Sequence, residues 1–265
     1  TTDRNRTSPL AFTGNKFGFR ILVSSQSIAS PNLVLNTIMA QELEEFADIL
    51  EQSNDFQVDL QNLLHDTFKA HQRIIFNGNG YGEDWVQEAQ RRGLSNLRDT
   101  VDCMPAYIDP KNIRLFAGHN ILSETEMRAR YEIHLENYCK VTAIEASTLR
   151  DMVLRGILPA VNRYTADLTQ AILHKRELVV PCRVEEDLLQ KLSALTGSLY
   201  DTMAAINEAM DKAPDAEGGI DAARYYREEI VRRMEEARQS IDQLESLTAA
   251  KYWPYPTYAD ILFSV

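Results

Sequence analysis

Three cysteines in 265 residues, Cys103, Cys139 and Cys182, are too few and too widely spaced to form a disulfide framework. Their odd number points to a reducing compartment, and the cytoplasm is the expected location. No apolar run approaches the roughly 20 residues that a membrane span needs, and the start TTDRNRTSPL lacks the charged-then-apolar order of a secretory signal. Basic residues are in deficit as well. With 28 Lys+Arg against 39 Asp+Glu, the formal charge of −11 opposes the counterion release that drives binding to phosphate backbones, so neither nucleic acid nor an anionic membrane is an expected partner. Glycine and proline are scarce, at 11 and 9, which favours long uninterrupted helices.

What is present is an ordinary globular composition, 44% hydrophobic and 25% charged, in a chain long enough for one large or two modest domains. The opening run is polar, rich in arginine and without Met, and reads as part of a longer protein. Lys16 to Val23 alternates, with Phe17, Phe19, Ile21 and Val23 on one face at period two, which predicts a strand. Ser30 and Pro31 then predict an N-cap and first helical residue for a stripe of Leu35, Met39, Leu43, Phe46 and Leu50. Asp55 caps a second helix with Leu60, Leu64 and Phe68 on its buried side. Short helices are expected at 84–92, ending at Gly93, and from Asp109-Pro110 to Gly118.

Helical character strengthens from Ser123. SETE is a capping box, with Glu126 three residues after the serine, and Met127, Tyr131, Leu135 and Tyr138 follow at helical spacing. This helix is expected to run past residue 170, kinked at Gly156 and Pro159 because proline lacks the N–H that would serve residue 155. Two further stripes, Val184 to Met210 and Ile230 to Leu244, flank the polar turn DKAPDAEGG and predict an antiparallel helical hairpin. The fold class is therefore mainly α, built from long antiparallel helices, with a short strand-containing segment at the start.

Several groups invite a chemical reading. Arg4, Arg6, Lys16 and Arg20 cluster in DRNRTSPLAFTGNKFGFR, and forked guanidinium groups suit phosphate or carboxylate; a solvated basic segment is the plain alternative. The five histidines show no metal-ligand spacing, and His71 is expected to be half-buried and hydrogen-bonded. NGNGYG at 77–82 lacks the GK[ST] of a P-loop and reads as tight turns. Arg128 with Glu132 and Glu136 with Lys140 read as ion pairs on a solvated face. Glu145, on the stripe of Tyr138, Thr142 and Leu149, reads as a buried carboxylate with an ion-pair partner. The tail aromatics Tyr252, Trp253, Tyr255, Tyr258 and Phe263 either fold back on their own helices or anchor a neighbouring subunit.

The order of these segments resembles glutamine synthetases, and more narrowly the type III class. DRNRTSPLAFTGNKFGFR followed by SSQSIASPNLVLNTI is similar to the end of the family's catalytic domain. IIFNGNGYGEDW, YEIHLENYCK, ILPAVNRYT and YWPYPTY continue the resemblance through the chain. It implies that residues 1–52 end an α+β catalytic domain and that 53–265 form the helical type III C-terminal domain. It also implies an ATP-dependent glutamate–ammonia ligase working through γ-glutamyl phosphate, with Mg²⁺ or Mn²⁺, in stacked hexameric rings that share active sites between subunits. By motif position, Arg6 corresponds to the catalytic arginine that meets the transferring phosphate, Lys16 to a cation on nucleotide phosphate, and Arg20 to the arginine that grips glutamate or phosphate. One position departs from the pattern. The family has a metal-ligating Glu where this sequence has Gly18, which offers no side-chain oxygen. No metal ligand is therefore expected in this chain, and the chain alone is expected to be inactive. A helical scaffold or a regulatory pseudoenzyme subunit remain the alternatives.

Overall fold

The computed structural model describes residues 10–12, 17–19 and 27–263, which fall into two compact units divided between Ala129 and Arg130. In the first unit, β1 (Leu10–Phe12) pairs antiparallel with β2 (Phe17–Phe19), and Ala11 lies opposite Gly18. Of the expected 16–23 strand, residues 17–19 are paired, and residues 16 and 20–23 lie outside the described ones.

Helix α1 spans Ala29–Leu50 and α2 spans Phe56–Ala70. Helix α1 starts earlier than the Ser30-Pro31 signal suggests, at Ala29, whose N–H donates to Ser27 Oγ at 3.2 Å. Asp55 caps α2 as expected, accepting from Val58 N–H at 3.3 Å. Their stripes are only partly covered, with Leu35, Phe46, Leu50 and Leu60 half-buried. Met39 is 47% exposed, Leu43 61% and Phe68 66%, and α2 buries no residue fully. Helices α3 (Glu83–Arg91), α4 (Thr100–Tyr107) and α5 (Pro110–Gly118) follow, the last two capped by Asp99 and Asp109. Helix α4 was not visible in the sequence, since Pro105 inside it reads as a breaker. The core of this unit is Ile113, Phe116, Leu122 and Met127, with Val34, Tyr107 and Ile108 packed against it. Each such burial is worth about 1.5–3 kcal/mol.

Helix α6 (Glu124–Met152) opens with the expected capping box. Ser123 N–H and its hydroxyl donate to Glu126 Oε2 at 2.8 Å, and Glu126 N–H returns to Ser123 Oγ at 3.3 Å. In the second unit the helix passes without a break through a π-helical turn, Val153–Ile157, into α7 (Leu158–Glu177). Leu158 N–H donates to the Val153 carbonyl, one residue farther back than in an α-helix. The widened turn relieves the crowding that Pro159 imposes on the preceding carbonyls. Helix α8 (Arg183–Asp211) reverses direction and lies between α7 and α10 (Arg232–Leu247), which is continuous with α9 (Gly219–Tyr225) through a second π-turn, Tyr226–Val231. The expected two-helix hairpin is thus a three-helix layer. Leu192, Leu199, Met203, Ile206, Ile230 and Leu244 are at most 1% exposed at its centre.

Candidate functional site

Arg6, Lys16 and Arg20 lie outside the described residues. Gly18, where the resembled family carries a carboxylate, holds a paired backbone position on β2. Among the described residues no group of three or more His, Cys, Asp or Glu side chains could hold a metal ion. The three thiols are free, Cys103 exposed and Cys139 and Cys182 buried. Burial pushes Cys103 and Cys139 up from the usual thiol range, and the hydrogen bond to Glu186 does the same for Cys182.

The glycine-rich turn is built on an aromatic pair rather than around a phosphate. Phe76 stacks on Trp85 with ring centroids 4.3 Å apart. The Arg92 guanidinium lies 6.0 Å and 5.6 Å from the two rings and donates to the carbonyls of Arg73, at 3.1 Å, and Ile75, at 2.9 Å. Its Nε also bonds Glu88, which this contact and Arg91 hold below the usual carboxylate range. Gly78 is required by close approach, since a Cβ there would meet the Phe76 ring at 2.5 Å. Tyr81 N–H bonds Asn79 Oδ1 at 3.1 Å and Gly82 N–H bonds the Asn79 carbonyl at 3.1 Å, as the tight-turn reading of NGNGYG expects. Arg92 was missed because nothing in its spacing marks it; only the arrangement in space joins it to residues 73–76.

Other sequence readings are corrected by position. His71 is an exposed helix C-cap; the half-buried histidine is His119, whose Nε2 lies 3.0 Å from Gln41 Oε1. Arg128 pairs backward with Glu124 at 2.8 Å rather than with Glu132, while Glu136 and Lys140 pair as read. Glu145 is exposed, because the buried line of α6 runs Leu135, Cys139, Thr142, Ala146.

The tail folds back on its own unit. Tyr252 packs on Tyr164 with centroids 5.1 Å apart and donates to Asp167. Tyr255 donates to the Met152 carbonyl at 3.3 Å, lying on Gly156 within the first π-turn. Thr257 and Asp260 then cap α11 (Tyr258–Phe263) reciprocally, Thr257 Oγ donating at 2.7 Å. Between the tail, α6 and α10 lies a cleft of 250 Å³, lined by Leu149, Met152, Ile241, Trp253, Tyr255 and Glu245 among others.

The chain is similar to known proteins along its length. Residues 59–176 match the family model described as the glutamine synthetase C-terminal domain. The chain is similar to a type-3 glutamine synthetase of Dictyostelium discoideum, 35% identical over 277 residues, covering 99% of this chain and 37% of that one. Glutamine synthetases of Butyrivibrio fibrisolvens, 35% identical, and Bacteroides fragilis (strain YCH46), 32% identical, each match 100% of this chain with 38% of their own length. The chain thus spans less than two-fifths of the length of these relatives. No described helix is long and apolar enough to cross a membrane.

Proposed function

We propose that the chain is the carboxy-terminal portion of a cytoplasmic type III glutamine synthetase, an ATP-dependent glutamate–ammonia ligase. Similarity to glutamine synthetases along the entire chain is the observation that carries this reading. In it, residues 1–52 complete the catalytic domain with a short strand-containing segment, and 53–265 form a helical domain in a homo-oligomer of stacked hexameric rings.

The chemistry is phosphoryl transfer followed by displacement. The γ-phosphoryl group of ATP passes to a side-chain carboxylate oxygen of glutamate, giving γ-glutamyl phosphate and ADP. Ammonia then attacks the acyl carbon, phosphate leaves, and the nitrogen loses a proton. Catalysis of this kind rests on positioning and charge neutralisation. Arg6 would meet the transferring phosphate, Lys16 the nucleotide phosphates, and Arg20 the glutamate carboxylate or phosphate, each as a fixed cation. At Gly18, where the resembled family carries a ligating Glu, the Mg²⁺ or Mn²⁺ of such enzymes would find no side-chain oxygen. No step is therefore routed through a metal here.

The test is the full-length protein that contains this chain, assayed for ATP- and ammonia-dependent glutamine formation at saturating Mg²⁺. Gly18→Glu is expected to raise the rate, and Arg20→Ala to lower it about 100-fold, as loss of an electrostatic contact to the reacting groups does. An unchanged rate in Gly18→Glu counts against the metal-ligand assignment. No turnover from a well-assembled ring, with or without that substitution, favours the regulatory-subunit alternative.

A further inference from the structure

The cleft beneath the tail has no part in the ligase reading, and its chemistry is specific. Leu149 and Met152 of α6, Ile241 of α10, and Trp253 and Tyr255 of the tail make its walls apolar and partly aromatic. Helix α10 also brings Arg238, Asp242 and Glu245 to it, at the spacing of successive turns on one face. Arg238 Nε donates to Asp242 at 2.6 Å, so these two charges answer each other. Glu245 is half-buried, and among the described residues no side-chain hydrogen bond or ion pair reaches its carboxylate.

A carboxylate in a cleft with aromatic and aliphatic walls offers an acceptor pair to a cation supplied from outside. The aromatic walls favour the same ligand, since ring faces attract cations and pack well against another ring. Size narrows the choice further. A cavity of about 150 Å³ lined by aliphatic side chains accommodates benzene, whereas drug-sized ligands need roughly 300–1,000 Å³. At 250 Å³ the cleft has room for one ring with a short arm. Carboxylate and phosphate ligands are disfavoured, because two acidic groups face the space against one arginine that is already paired.

We propose that this cleft binds a small organic monocation, a primary amine carrying an aromatic or branched apolar body. The ammonium sits on Glu245 and the body between Trp253, Ile241 and Leu149. The inference is independent of the ligase reading and stands or falls by itself.

Calorimetric titration of the full-length protein with phenethylamine, and with 2-phenylethanol as a neutral analogue of the same shape, tests it without any substitution. Saturable binding of the amine is expected, with the alcohol about tenfold or more weaker. Glu245→Gln should reduce that preference to near unity, and Leu149→Phe, which fills the cleft, should weaken both ligands. Equal binding of amine and alcohol, an amine that does not saturate, or amine binding unchanged in Leu149→Phe would each overturn the proposal.

Discussion

Replacing Gly156 by alanine sets two calculable effects against each other. An ideal Cβ at this position falls 2.5 Å from the Tyr255 hydroxyl oxygen and 3.1 Å from Cζ. Ordinary heavy-atom contacts lie near 3.5–4.0 Å, so the phenol must withdraw by about 1 Å. Withdrawal breaks its hydrogen bond to the Met152 carbonyl, worth about 0.5–1.5 kcal/mol, and re-exposes part of the ring. If about 60 Å² of ring surface returns to water, a further ~1.5 kcal/mol is lost. Against this, removing a glycine from a helix interior gains about 0.8–1.0 kcal/mol. The expected net effect is destabilisation by roughly 1–2 kcal/mol, appearing in thermal unfolding and as faster hydrogen exchange in the tail. The sign should reverse once the phenol is gone: in a Tyr255→Ala background, Gly156→Ala should stabilise by about 1 kcal/mol. A double-mutant cycle in which Gly156→Ala stabilises both backgrounds equally would refute the contact and the reasoning built on it.

Three other expectations follow from the same kind of argument. Arg92→Ala removes two carbonyl bonds, the Glu88 pair and the cation over both rings, so local stability at 73–82 should fall by about 2 kcal/mol, read as roughly 30-fold faster amide exchange there, with no rescue by Arg92→Lys. Val179 holds φ at +57°, a conformation that costs a β-branched residue about 1–2 kcal/mol, and it is 89% exposed; Val179→Gly should therefore raise the melting temperature by about 3 °C, and a fall would mean that the side chain is held by a contact. Glu88, Glu185 and Glu208 are held below their usual range by hydrogen bonds to Arg92, Lys175 and Lys212, and Glu186 by Cys182 and then Arg176. Because their folded values are depressed, this stabilisation is present above about pH 4.5 and is lost as pH falls through the folded values, so the melting temperature should be flat near pH 6 and drop below about 4.5, less steeply in Glu88→Gln.

The sequence was most legible where local signals and tertiary packing agree. The Ser123–Glu126 box, the Asp55 and Asp109 caps, the α10 stripe and the α8 stripe from Leu192 to Ile206 appear where their spacing puts them, because each is decided within one or two helical turns, whereas Val184 at the start of the α8 stripe is 75% exposed. Gly156 and Pro159 announced a perturbation without its form; the lost N–H can be met by a kink or by a π-turn, and the π-turn is what forms, with Tyr255 lying against the glycine. The Leu43 and Phe68 faces failed for the opposite reason. Periodicity reports which side of a helix is apolar, not what covers it, and among the described residues these side chains remain largely exposed. Glu145 shows the resolution limit of such patterns, since a drift of one residue over five turns of α6 moves it from the stripe to the solvent. The cleft could not be read at all, as Leu149, Glu245 and Trp253 meet only through the return of the tail.

The two π-turns, at Val153–Ile157 and Tyr226–Val231, also bear on how this chain can change length. In a regular α-helix, inserting one residue rotates everything downstream by about 100° and turns a buried stripe toward water. A π-turn absorbs one extra residue in a single widened turn, so the flanking segments keep their phase. These are therefore the two places in the long helices where a residue can be deleted with the rotational register of Leu135 and Val161, or of Ala223 and Leu244, restored by simple tightening. Single-residue gaps among related sequences should collect there, while gaps elsewhere in the long helices should come in the three- or four-residue steps that complete a turn.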